Sequence, residues 1–172
     1  MMDTNAIYTE TISPSMMKLV MGIMGAITVL FLVLYIYQAA SGPIGGNAAP
    51  DWYYLLLFAI FAVITAFLTN FRKLSVSITE SAITVRYGML KSIVEWDNIA
   101  KCTIDRDSSF GYGGFGLRLA RGHGTWIRAY NLMNCPRIAL DLKSGKSKRL
   151  VFSTKSPEQI IEIAQRHGIS VQ

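Results

Sequence analysis

The sequence is poor in the residues that build metal centres, disulfide frameworks and nucleophilic active sites. It contains two cysteines, Cys102 and Cys135, and two histidines, His123 and His167, and none of them stands at a metal-ligand spacing. It also lacks the G-x-S-x-G motif that presents a catalytic serine. These absences predict a protein without a metal site, without a cofactor and without enzyme activity.

Charged residues are absent from two long apolar runs near the start of the chain, residues 19–37 and 52–71. The hydrocarbon core of a bilayer takes roughly 20 helical residues, so each run is long enough to cross it. The remaining residues are too few to enclose two such helices in a soluble core. A cleaved signal peptide is disfavoured because Lys18 is the only basic residue before the first run, and a second run follows. We therefore predict a two-span transmembrane hairpin.

The distribution of basic residues predicts the orientation of this hairpin. The connecting loop, residues 38–51, has no Lys or Arg, whereas Arg72 and Lys73 follow the second run directly. Because Lys and Arg favour the cytoplasmic side, both termini are expected there, with the loop outside the inner (plasma) membrane. The expected organisation is an N-terminal cytoplasmic tail at 1–16, a transmembrane hairpin at 17–72 and a cytoplasmic domain at 73–172.

Neither run contains an acidic or basic side chain, which favours an anchor over a channel or pump. Small residues in both runs would let the helices approach closely. They are Gly22, Gly25, Ala26, Ala59, Ala62 and Ala66.

The part of the chain after residue 71 is basic and has the alternating pattern of strands. It holds 16 of the 17 Lys and Arg and 8 of the 11 Asp and Glu, a formal net charge of +8. Segments such as "KLSVSIT", "ITVRYGM" and "RIALDL" alternate apolar and polar residues, with turn residues between them. The pattern predicts seven or eight antiparallel strands in a small barrel or sandwich.

A single helix is predicted at the end of the chain. Ser156 suits an N-cap, Pro157 the first helical position, and Gln159 completes a capping box. Gly168 is placed to end the helix. We expect this helix to close the open end of the barrel.

"FGYGGFG", residues 110–116, contains the G-x-G-x-x-G spacing of dinucleotide-binding loops. That motif requires a helix at its third glycine, but the following "LRLAR" alternates like a strand. The loop is therefore predicted to connect two strands rather than to hold a nucleotide.

The order of these segments resembles the pleckstrin-homology-like fold, particularly the bacterial PH domain families that follow transmembrane hairpins. The stretches that carry the resemblance are "LSVSITESAITVRYGMLKSIVEWDNIAKCTI", "YGGFGLRLARGHGTWIRAYN" and "KRLVFSTKSPEQIIEIA". The resemblance implies a curved barrel of about seven antiparallel strands with a C-terminal capping helix, and binding of lipids, peptides or proteins rather than catalysis. Lys73 and Arg86 match the first positions of the phosphoinositide pattern of PH domains, but Gly88 replaces its final Arg.

The sequence thus predicts a non-enzymatic, membrane-anchored binding module that contacts anionic lipid head groups or a protein partner, with no nucleic acid. The alternative is a structural subunit of a homo-oligomer or of a larger membrane complex. The candidate binding residues are basic residues and the aromatics of the glycine loop: Lys73, Arg86, Arg106, Phe110, Tyr112, Phe115, Arg118, Arg121 and Arg128.

Overall fold

The computed structural model describes residues 6–42, 49–106, 114, 116–122 and 125–171. The chain divides into two compact units. One is Ser15–Arg72, and the other joins Met1–Pro14 to Lys73–Gln172. Residues 6–14 are thus grouped with the part of the chain that follows the helical pair.

The first unit is a pair of helices. Helix α1 is Ser15–Ser41 and helix α2 is Asp51–Leu68, continued by a 3-10 turn at Thr69–Phe71. The prediction of two long apolar helices is confirmed, and α1 extends beyond the predicted span at both ends. By length and composition both helices are able to cross a bilayer.

Side chains with hydroxyl and aromatic groups join α1 to α2. The rings of Phe31 and Phe61 stack with centroids 5.4 Å apart, and the hydroxyls of Thr28 and Thr65 lie 3.3 Å from each other. A Cβ added at Gly22 or Gly25 would meet no atom within 4 Å. The expectation that these two glycines allow the two helices to approach closely is therefore wrong.

The second unit begins with a four-stranded antiparallel sheet, sheet A. Its strands are β1 (Ala6–Ile12), β2 (Leu74–Thr79), β3 (Ala82–Tyr87) and β4 (Leu90–Glu95), in that order. Strand β1 pairs with β2 although 61 residues separate Ile12 from its partner Leu74. A positive φ of 50° at Gly88 makes the tight turn between β3 and β4, a conformation that glycine adopts without steric cost.

Sheet B has six strands and mixed direction. They are β5 (Ile99–Asp105), β6 (Gly116–Gly122), β7 (Thr125–Asn131), β8 (Arg137–Leu142), β9 (Ser147–Ser153) and β10 (Ser170–Val171). The strand order is β10-β5-β8-β9-β7-β6, in which β5 pairs parallel with β10 and β7 pairs parallel with β9.

This topology corrects the expected fold. The predicted barrel of about seven antiparallel strands is replaced by two separate sheets with ten strands in the described residues. Closure of a barrel requires a continuous ring of strand pairs. Here β4 and β6 are edges of their sheets, so the ring stays open.

The two sheets pack through the alternate, inward-facing side chains of their strands. Leu74, Val76 and Ile78 of β2 are fully buried, as is Phe152 of β9. Burying each such side chain contributes about 1.5–3 kcal/mol. Between the sheets the rings of Tyr87 and Tyr130 stack with centroids 6.0 Å apart.

The C-terminal helix α3, Pro157–Arg166, confirms the prediction of a terminal helix. Pro157 is at its first position, and Gly168 follows its end with φ 74°. Ser156 makes no side-chain capping hydrogen bond, so the expected capping box does not form. Ile160 and Ala164 bury the inner face of the helix.

Candidate functional site

The β3–β4 turn lies at the end of sheet A where the chain leaves for α1 and returns from α2. The pairing register places Ile12, Leu74, Tyr87 and Leu90 in one row across the four strands. Ile12 is the last residue of β1 before the helical pair, and Leu74 is the first residue of β2 after it. Gly88 and Met89 extend beyond this row.

Basic side chains gather at this end of sheet A. Arg86 and Lys91 are directly opposite each other on neighbouring strands, and both are exposed. Like charges in such a pair repel each other. Within the described residues, neither has a carboxylate within 4.0 Å, and Lys73 is exposed beside the first residue of β2.

An apolar tip accompanies these cations. The side chain of Met89 is 86% exposed, and Leu90 next to it is 41% exposed. We call Lys73, Arg86, Met89, Leu90 and Lys91 the basic corner. An exposed apolar tip flanked by cations suits contact with a bilayer, whose interior is apolar and whose head groups can be anionic.

Arg128 occupies a different place, between the sheets. Its Nη1 donates a hydrogen bond of 2.7 Å to Ser92 Oγ on β4, and Ser92 Oγ lies 2.8 Å from the hydroxyl of Tyr130. Arg128 is partly buried, and these contacts fix the direction of its guanidinium.

The structure spreads the other predicted basic residues over the domain. Arg106 follows β5 and lines a shallow groove beside Ile161 of α3. Arg118 and Arg121 lie on the edge strand β6 and are exposed. The six predicted basic residues therefore do not form one cluster.

The aromatic candidates Phe110, Tyr112 and Phe115 lie outside the described residues. The third glycine of the motif, Gly116, begins strand β6, which pairs antiparallel with β7. The prediction that a strand follows the glycine loop is confirmed, and the helix that a dinucleotide-binding motif needs at this position is absent from residues 116–122.

Glu10 makes structural contacts that no pattern in the sequence indicates. Its Oε2 accepts hydrogen bonds from Thr154 Oγ1 at 2.6 Å and from the Tyr8 hydroxyl at 3.0 Å. Its Oε1 accepts one from the backbone N–H of Lys155 at 2.8 Å. Glu10 thereby ties β1 to the segment that leads into α3.

A buried ion pair joins strands β5 and β8 of sheet B. Arg137 Nε donates to Asp105 Oδ2 at 2.8 Å, and both side chains are almost fully buried. Arg137 also donates to Asn131 Oδ1 at 3.3 Å. Because each partner would be costly to bury alone, the pair fits a structural role.

Burial makes both thiols poor nucleophiles. It raises the pKa of Cys102 to about 12. The pKa of Cys135 is raised as well, first by burial and then by the negative charge of Glu10. Both cysteines are free thiols.

Among the described residues, no three His, Cys, Asp or Glu side chains are grouped as metal ligands. The sequence matches no protein-family model, and no curated protein is significantly similar to it.

Proposed function

We propose that this protein is a non-enzymatic, membrane-anchored binding module whose sheet domain contacts anionic lipid head groups through the basic corner. In this proposal α1 and α2 cross the inner (plasma) membrane, and both termini are cytoplasmic. The sheet domain is related to PH-like domains in its order of strands followed by a terminal helix, although its sheets stay open.

The observation that carries the proposal is that Arg86 and Lys91 lie opposite each other, one row along the sheet from Ile12 and Leu74. Among the described residues, no carboxylate lies within 4.0 Å of either cation. Ile12 is three positions before the start of α1, and Leu74 is three positions after the 3-10 turn that continues α2. In this proposal, the short connections to the helical pair allow this end of sheet A to reach the bilayer surface. Each Lys or Arg near an anionic surface contributes about 1 kcal/mol of attraction.

The proposal is tested with a reporter at the apolar tip of the full-length protein. Met89→Cys is introduced together with Cys102→Ala and Cys135→Ala, labelled with a polarity-sensitive fluorophore, and reconstituted in nanodiscs. We expect a blue-shifted emission in discs that contain phosphatidylglycerol and a smaller shift in discs of phosphatidylcholine. Added salt should abolish the difference between the two lipids, because it screens the attraction between exposed charges.

Charge-removal variants identify the responsible residues. Arg86→Gln with Lys91→Gln removes about 2 kcal/mol of attraction and should reduce the ratio of docked to undocked domain roughly thirtyfold. The matched control is Lys148→Gln with Arg166→Gln, which removes two exposed charges elsewhere. Equal emission in both lipids, or an equal loss in the control, would refute lipid contact by the corner.

A further inference from the structure

A small cleft lies between the inner side of β4 and the turn that joins β8 to β9. Its volume is about 160 Å³. Its polar lining consists of Ser92, Asn98, Arg128, Ser144, Lys146 and Ser147. None of the described residues that line it is acidic. Pockets for drug-sized ligands occupy roughly 300–1,000 Å³, so this cleft suits a small chemical group.

Arg128 brings a positive charge to this cleft without a carboxylate to balance it. In the described part of the chain, its hydrogen-bond partner is Ser92, and no acidic side chain is within 4.0 Å. Partly buried charges are normally paired, since removing them from water is costly. The guanidinium carries five N–H donors, and the bond to Ser92 uses one of them.

The β8–β9 turn is held in place on the other side of the cleft. Asn98 Oδ1 accepts hydrogen bonds from Ser144 N at 2.9 Å and from Ser144 Oγ at 2.8 Å. Lys143 Nζ donates to Asp97 O, and Lys148 Nζ donates to Lys143 O. Lys146 lies in the turn and borders the cleft. Among the described residues its ammonium has no hydrogen bond of this kind.

From this arrangement we infer that the cleft binds a phosphate group. A fixed guanidinium on one wall and Lys146 on the other, with the hydroxyl of Ser147 also in the lining, supply donors to a tetrahedral anion. Arg and Lys are the residues that proteins use for this group, and charge-assisted hydrogen bonds are the strong ones. The phosphate belongs either to a lipid head group or to a free small molecule.

The test uses the full-length protein in a maltoside detergent, which contains no phosphate. Inorganic phosphate and glycerol 3-phosphate are titrated calorimetrically into the wild type and three variants. Arg128→Gln and Lys146→Gln should each weaken binding about tenfold or more. Arg166→Gln, which removes one exposed charge on α3, should leave the affinity unchanged. Lys146 is exposed, so its variant remains informative if Arg128→Gln does not fold.

The two probes distinguish the source of the phosphate. If glycerol 3-phosphate binds at least tenfold more tightly than inorganic phosphate, the cleft is assigned to a lipid head group. If the two probes bind equally, it is assigned to a free phosphate compound. No heat of binding with either probe, or equal weakening in Arg166→Gln, would overturn the inference. Binding of a heptaglutamate peptide in place of phosphate would also overturn it.

This inference is independent of lipid contact by the basic corner. The cleft and the corner share no residue, so Arg86→Gln with Lys91→Gln should leave phosphate binding unchanged. Failure of one proposal therefore does not remove the other.

Discussion

At the residue scale, burial separates two cysteines that look alike in the sequence. Cys102 is fully buried in β5, and burial raises its pKa to about 12. Cys135 is partly exposed, and its Sγ donates a weak hydrogen bond of 3.3 Å to Thr154 O. The thiolate is the reactive form, so access and pKa together set the rate of modification.

We predict that N-ethylmaleimide modifies Cys135 slowly and Cys102 not at all in the native protein at pH 7.5. Cys135 should react more slowly than a free cysteine because its pKa is raised. Peptide mass spectrometry over time measures both rates, and unfolding in guanidinium is the control that should expose both thiols. Native labelling of Cys102 at the rate of Cys135 would contradict this account of β5.

The sequence allowed a correct prediction where alternation is local and failed where contacts are distant. The alternation of "KLSVSIT" predicts a strand, and β2 lies there with every second side chain buried. Arg128 is a candidate in the sequence only because it is basic. Its partner Ser92 is 36 positions away, and no local pattern indicates such a pair.

At the element scale, the same contrast explains which strands were predicted. The eight strands from β2 to β9 follow segments with clear alternation between turns. Strand β1, "AIYTETI", also alternates, with Tyr8, Glu10 and Ile12 facing inward, but its partner β2 lies beyond both helices. Strand β10 has only two residues, too few to show a period.

Glu10 is the residue through which β1 stabilises the start of α3, so Glu10→Gln should destabilise the sheet domain. The amide has one accepting oxygen in place of two and no charge, and hydrogen bonds to charged groups contribute about 1.5–3 kcal/mol. We expect a loss of about 2 kcal/mol in the free energy of unfolding, measured by denaturation of the full-length protein in detergent.

The control for this variant is Glu162→Gln on α3. Glu162 forms an exposed ion pair of 2.6 Å with Arg166 one turn later, and pairs of this kind contribute about 0.3–0.5 kcal/mol. If the two substitutions lowered stability equally, the tie between β1 and the Thr154–Lys155 segment would not hold the domain together.

At the scale of the whole molecule, the pairing of β1 with β2 constrains how the chain can cross a membrane. The strand before α1 and the strand after α2 belong to one sheet, in which Ile12 is the partner of Leu74. One sheet cannot extend through the hydrocarbon core, because open strand edges leave backbone groups without partners there. If the helices cross a bilayer, the two ends that join the sheet must therefore be on the same side.

This constraint predicts the labelling pattern of membrane vesicles. Thr9→Cys, Lys148→Cys and Asn47→Cys are made singly on the Cys102→Ala, Cys135→Ala background and treated with a membrane-impermeant maleimide. Thr9→Cys and Lys148→Cys should be labelled in inverted vesicles, and Asn47→Cys in right-side-out vesicles, because two spans separate opposite faces and Lys and Arg favour the inner one. Labelling of position 47 from the same side as position 9 would show that the helices do not span. Labelling of positions 9 and 148 from opposite sides would show that β1 is not paired with β2 in the membrane-bound protein, and the sheet row that supports the basic corner would then not exist.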